Sequence, residues 1–112
     1  MPHDPDRGDI ILLDLSPQAG TEMAGEHRII VLSERAFSVA TGWVVGCPIT
    51  TKIKGSPFEV QIPSGLRTVG CVVASELRTM GDLARRARFI EKAPLDLLQN
   101  VQAIACATIG CT

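Results

Sequence analysis

The chain has 112 residues, a formal net charge of −1 and 46% hydrophobic residues. That is the scale of one domain with a real but modest core, the kind that often gains from dimerising. No apolar run approaches the roughly 18 residues of a membrane-spanning helix. The polar, acidic start Met1-Pro2-His3-Asp4-Pro5-Asp6-Arg7 has neither a signal-peptide nor a transit-peptide pattern. The expectation is one cytoplasmic domain over residues 1–112, with residues 1–6 as a loose leader.

Four cysteines, Cys47, Cys71, Cys106 and Cys111, form no CxxC pair and have only two histidines to join them. Their spacing matches no zinc set, so no metal and no cofactor are expected. They read as small core residues kept reduced, with Cys111 exposed near the end. The small net charge hides an asymmetry. Residues 1–34 carry seven acids and two bases, whereas residues 35–92 carry nine bases and four acids. A basic face that attracts phosphates is compatible with that distribution.

In chain order, Asp9-Ile10-Ile11-Leu12-Leu13-Asp14-Leu15 reads as a strand, broken by Ser16-Pro17 into a loop reaching about Glu26. Residues 28–33 read as a second strand. Residues 34–40 allow one or two helical turns. A third strand is expected over residues 43–49. Lys54-Gly55-Ser56-Pro57 is turn chemistry, and residues 58–62 alternate at period two like a half-buried strand. A valine-rich fifth strand is expected over residues 69–77, and a polar sixth over residues 84–90. The period then changes. Leu97, Leu98, Val101, Ile104, Ala105 and Thr108 share one helical face, with Pro94 suited to the first turn and Gly110 to the stop. Short strands followed by one helix predict a mainly β, α+β fold: a small barrel with a C-terminal helix.

Several stretches, taken in order, resemble one family. They are Arg7-Gly8-Asp9-Ile10, Gly20-Thr21-Glu22-Met23-Ala24-Gly25, Arg28 before an apolar strand ending in Ser33, and Thr41-Gly42. Cys47-Pro48-Ile49-Thr50-Thr51, Lys54-Gly55-Ser56-Pro57-Phe58-Glu59-Val60 and Ala84-Arg85-Arg86-Ala87-Arg88 complete the set. Their joint order and spacing, over nearly the whole chain, resembles the MazF/PemK toxins. The resemblance implies an SH3-like barrel of the MazF/CcdB type, a homodimer, and a metal-independent endoribonuclease. It also implies cleavage of single-stranded RNA, and a MazE-like antitoxin whose acidic tail covers the same groove.

RNA can be cut by its own 2′-OH attacking the adjacent phosphorus, leaving a 2′,3′-cyclic phosphate and a 5′-OH. Such a site needs a proton acceptor, a proton donor and a stabiliser of phosphorane charge. Arg28 matches the family's catalytic arginine, and its donor fork suits two non-bridging oxygens. A bland reading pairs it instead with Glu22 or Glu26. Thr50 matches the catalytic threonine, and Glu22 a family glutamate that would orient Arg28 or act as base. Arg85 matches a basic residue of the polar strand. Lys52, Lys54, Arg86, Arg88 and Thr21 are further candidates for RNA contact. Strand alternation separates His27 from Arg28, so His27 is set aside, and it turns Thr51 away from Thr50. Phe58 reads as core or groove wall, core being favoured over stacking with a base.

The chain departs from the family pattern at Ile29, where proline is usual, at Ala74-Ser75-Glu76, and around Gly81-Asp82-Leu83. A reading from another class keeps the barrel without the cutting: a CcdB-like gyrase poison, or a degenerate member that only binds RNA or antitoxin.

Overall fold

The computed structural model describes residues 4–15, 25–80 and 87–111. Its strands are β1 (Asp9–Leu15), β2 (Gly25–Val31), β3 (Val44–Thr50), β4 (Glu59–Gln61), β5 (Cys71–Val73), β6 (Arg78–Met80) and β7 (Arg88–Lys92). Two α-helices, α1 (Arg35–Thr41) and α2 (Leu95–Ile109), and a 3-10 turn at Ala74–Glu76 complete the described elements. The strands run β4-β5-β3-β2-β1-β7, with β6 also on β3, and every pairing is antiparallel. The predicted barrel is thus barrel-like rather than closed: among the described residues, β4 and β7 stand at the two ends of the path.

The apolar runs Ile10–Leu13 of β1 and Ile29–Val31 of β2 put side chains on both faces of the sheet, and both faces are covered there. Ile10 and Ile30 join Cys47, Ile49 and Val72 in a core that includes Leu97, Leu98 and Val101 of α2. Their neighbours Ile11, Leu13, Ile29 and Val31 form a second cluster with Val44, Met80 and Ala87. Alternation along each strand sorts the side chains between the two. Ile29, where the resemblance leads one to expect proline, is fully buried in the second cluster.

The C-terminal helix follows the predicted span. Pro94 is its N-cap, and Gly110 ends it at φ 83°, donating its amide to the Ser-free last turn through the Cys106 carbonyl. Leu97, Leu98, Val101 and Ala105 are buried; Thr108, assigned to the same face, is exposed.

The valine-rich stretch is not one strand. Ala74–Glu76 forms a 3-10 turn between β5 and β6. Both strands pair with β3, but their registers differ by three residues across the turn. Ala74 is fully buried in the α2-side core, and its carbonyl receives the Cys47 thiol at 3.7 Å. Packing against α2 therefore overrides β propensity here. The second strand also begins earlier and ends earlier than predicted. Ser33 lies past it, its hydroxyl accepting from the Val45 amide at 2.9 Å.

Candidate active site

Arg28 on β2 and Thr50 at the end of β3 each touch the Arg67–Gly70 segment. Gly70 (φ 115°) lies against Thr50; a Cβ there would overlap the Thr50 carbonyl oxygen. Two residues back, Thr68 is 1% exposed and meets Arg28. One short segment therefore touches both the arginine and the threonine singled out by sequence.

Arg28 is half-buried. Its Nη1 donates to the Thr68 hydroxyl at 2.7 Å and to the Arg67 carbonyl at 3.2 Å. Its Nε and Nη2 donate to nothing among the described residues. That leaves the edge of the guanidinium which suits a bidentate anion. The bland alternative does not hold for Glu26, which pairs with Arg88 at 2.6 Å.

Thr50 closes β3, and its hydroxyl accepts the Lys52 amide at 3.0 Å. With a lone pair occupied by backbone, the remaining O–H can donate. Beside it lies a cleft of about 450 Å³, lined by His27, Pro48, Thr50, Lys52, Lys54 and Glu76 among others. Thr51 is exposed in the bend beyond the strand.

The structure keeps His27 and Arg28 on opposite faces, as strand parity requires, and puts Thr50 on the side of His27. Ile30 pairs with Cys47 and Ile29 with Pro48. Cys47 and Ile49 turn to the α2 core with Ile30. Alternation then sends Thr50 to the face of Pro48 and His27, and both His27 and Thr50 line the cleft. Arg28 leaves β2 on the opposite face and reaches the Arg67–Thr68 turn. His27, set aside on parity, thus returns as a cleft residue.

The loop carrying Lys52 and Lys54 is organised by a residue that sequence reasoning missed. Glu59 accepts the amides of Lys54, Gly55 and Ser56 at 2.9–3.2 Å. The signal was available as a carboxylate four residues after the glycine of a turn, the pattern of local side-chain-to-backbone bonding. Glu91 is a second such residue. It accepts the Arg67 amide at 3.0 Å, the Thr68 amide at 2.8 Å and the Thr68 hydroxyl at 2.7 Å. Burial pushes the Glu91 carboxyl up, but the Thr68 hydroxyl, the two amides and the Arg28 charge together hold it below the usual range.

Among the described bases, Arg7, Arg35, Arg88 and Lys92 are paired with Glu34, Asp6, Glu26 and Asp9. The side chains of Lys52, Lys54, Arg67 and Arg78 have no such partner among the described residues. Lys52 and Lys54 share the cleft with Glu59 and Glu76. Phe58 is 51% exposed, not core, and Trp43 is 47% exposed. Glu22, Thr21, Arg85 and Arg86 lie outside the described residues, as does Asp82. No group of side chains among the described residues could hold a metal ion, and no helix there is long and apolar enough to cross a membrane.

Comparison with known proteins gives this geometry a family. Residues 6–108 match the model of the PemK-like, MazF-like toxins of type II toxin–antitoxin systems. The chain is 35% identical over 106 residues to the endoribonuclease toxin MazF of Escherichia coli (strain K12), covering 95% of each chain. It is 30% identical over 102 residues to the endoribonuclease PemK of Escherichia coli, covering 88% of this chain and 77% of that one. Crystal structures of Deinococcus radiodurans MazF (TM-score 0.88, 37% identity, 96% and 98% coverage) and of a MazE–MazF complex (0.89, 35%, 98% and 100%) share its fold. The chain belongs to the MazF/PemK family of toxins.

Proposed function

We propose that this chain is the toxin of a type II toxin–antitoxin pair, a cytoplasmic endoribonuclease that cleaves single-stranded RNA without a metal. One observation carries the reading. Among the described residues the Arg28 guanidinium is held through Nη1 alone, by Arg67 and Thr68, while the Thr50 backbone abuts Gly70 and its hydroxyl accepts the Lys52 amide, so that each side chain keeps donors. Relatives named endoribonucleases, similar over nearly the full length, support the same reaction class.

In this reading the 2′-oxygen attacks phosphorus, the O2′–P bond forms, and the P–O5′ bond breaks. Arg28 stabilises the charge that builds on the non-bridging oxygens; a guanidinium holds its protons too tightly to serve as the proton donor. Thr50 donates to a phosphate oxygen and orients the scissile bond. The 2′-OH proton passes to Glu22 or to His27, whose imidazole lines the cleft, and the departing 5′-oxygen takes a proton from water to leave as the 5′-OH. Lys52 and Lys54 hold flanking phosphates, a task for which Thr21, Arg85 and Arg86 remain candidates on sequence.

The partners follow from the relatives. Deinococcus radiodurans MazF has been crystallised with MazE, and an acidic antitoxin segment would compete with RNA for the same lysines. The active unit is a homodimer. Incubating the protein with a long single-stranded RNA in EDTA tests the function: discrete fragments with 5′-OH ends support it, whereas intact RNA across several substrates favours a non-cutting interaction module.

A further inference from the structure

Arg28 is held by a relay that crosses three parts of the fold, and the order of the relay fixes what each atom does. Glu91 on β7 gives one carboxylate oxygen to the Arg67 amide and the other to the amide and hydroxyl of Thr68. A threonine hydroxyl has one proton, and at 2.7 Å from the carboxylate that proton is committed to Glu91. The Thr68 oxygen therefore presents only lone pairs to Arg28 Nη1, also at 2.7 Å. Thr68 is 1% exposed, so water does not compete for the hydroxyl.

We propose that Thr68 and Glu91 are positioning residues for Arg28, acting in the ribonuclease reaction assigned above and resting on that assignment. A neutral hydroxyl stands between the two charges. A direct Glu–Arg pair would occupy two guanidinium nitrogens and compete with phosphate for them. Among the described residues the relay occupies Nη1 alone. It orients the guanidinium while its Nε–Nη2 edge stays without a protein partner among the described residues. The carboxylate acts one step removed, by fixing the turn and polarising the hydroxyl.

The relay makes a graded prediction. Thr68→Val keeps the shape and removes the lone pairs; Glu91→Gln keeps the shape and replaces an acceptor by a donor. Each should lower kcat on a short RNA substrate by about ten-fold or more while KM changes less than about two-fold, because the contact that is misplaced forms in the transition state. Thr68→Ser should restore most of the rate. In Arg28→Ala, adding Thr68→Val should cost little more, since the relay then has nothing to hold. Side-chain nitrogen NMR of Arg28 reads the same device with no RNA present. Slow Nη1 rotation is expected in the wild type and in Thr68→Ser, and fast rotation in Thr68→Val and Glu91→Gln.

Melting curves identify variants that have lost the fold, and the NMR comparison of wild type with Thr68→Ser stands whether or not the other two fold. Fast Arg28 rotation in the wild type would overturn the relay. So would a folded Thr68→Val with a wild-type rate while Arg28→Ala is inactive, and that result leaves the ribonuclease assignment standing. Intact RNA with the wild-type protein would overturn the assignment, and with it the relay's catalytic purpose.

Discussion

Among the described residues two carboxylates each gather more than one backbone amide, and they do so over different reaches. Glu59 binds amides three to five residues away, in the exposed loop that carries Lys52 and Lys54. Glu91 binds a turn 23 and 24 residues away, and through Thr68 it reaches an arginine on β2. The first is a local device: it shapes a loop without tying it to the core. The second is a cross-link between β7, the Arg67–Thr68 turn and β2. A catalytic arginine needs a fixed address, because small misplacements of a charge-stabilising donor are costly. A loop that reads flanking RNA gains from being adjustable. In the proposed reading, Glu91 serves the fixed position of Arg28, and Glu59 the shape of the loop that holds flanking RNA beside Thr50.

The largest expected effect lies in the two residues proposed as catalytic. Arg28→Ala and Thr50→Ala should each reduce cleavage by about 100-fold or more, the scale of losing one transition-state donor, whereas Thr51→Ala should stay close to the wild-type rate in a single-turnover assay. Next come the two carboxylates. Glu91→Ala leaves the buried Thr68 hydroxyl and two amides without their acceptor and should cost about 1–3 kcal/mol in urea unfolding. Glu59→Ala exposes its amides to water and should cost less than about 1 kcal/mol, yet shift the pattern of RNA fragments. Equal destabilisation by both would erase the distinction drawn here.

Acid should separate the two as well. Glu91 is held below the ordinary carboxyl value of 4.5 in the fold, so the unfolded chain takes up its proton first as pH falls. Its contribution is whole above the ordinary value and is lost as pH drops through the folded one. Glu91→Gln should therefore flatten the acid limb of a melting-temperature profile. A smaller effect is expected at the lysines. Removing Lys52 or Lys54 should reduce the salt slope of RNA binding by about 0.7 per charge, the value for single strands. Smallest is a labelling difference: burial, aided by the Glu76 charge, pushes the Cys47 thiol up to about 12. Cys47 should resist alkylation in the fold while exposed Cys111 reacts.

Much of the fold was legible because its signals are local. Pro94, Gly110 and the apolar face of Leu97, Leu98 and Val101 announce α2, and the run Ile10-Ile11-Leu12-Leu13 announces a strand covered on both faces. The break at Ala74–Glu76 was not legible, since valines on either side favour a strand and only contact with α2 and Cys47 bends it. At the site, Arg28 and Thr50 stood out through the family pattern. Their surroundings did not: Thr68 and Glu91 lie 40 and 63 positions from Arg28, and no local spacing joins them. The same holds for His27. Alternation correctly separates it from Arg28, but which of the two faces Thr50 is settled by the β2–β3 register, which sequence does not print. Phe58 misled for a simpler reason, since an aromatic beside a short edge strand, β4, has little to cover it.

The most direct test is a side-by-side digestion of one long RNA in EDTA by the wild type, Arg28→Ala and Thr50→Ala, with the fragment ends identified. The account predicts 5′-OH ends from the wild type and uncut RNA from both folded variants. Fragments from Arg28→Ala at the wild-type rate, or 5′-phosphate ends from the wild type, would contradict it.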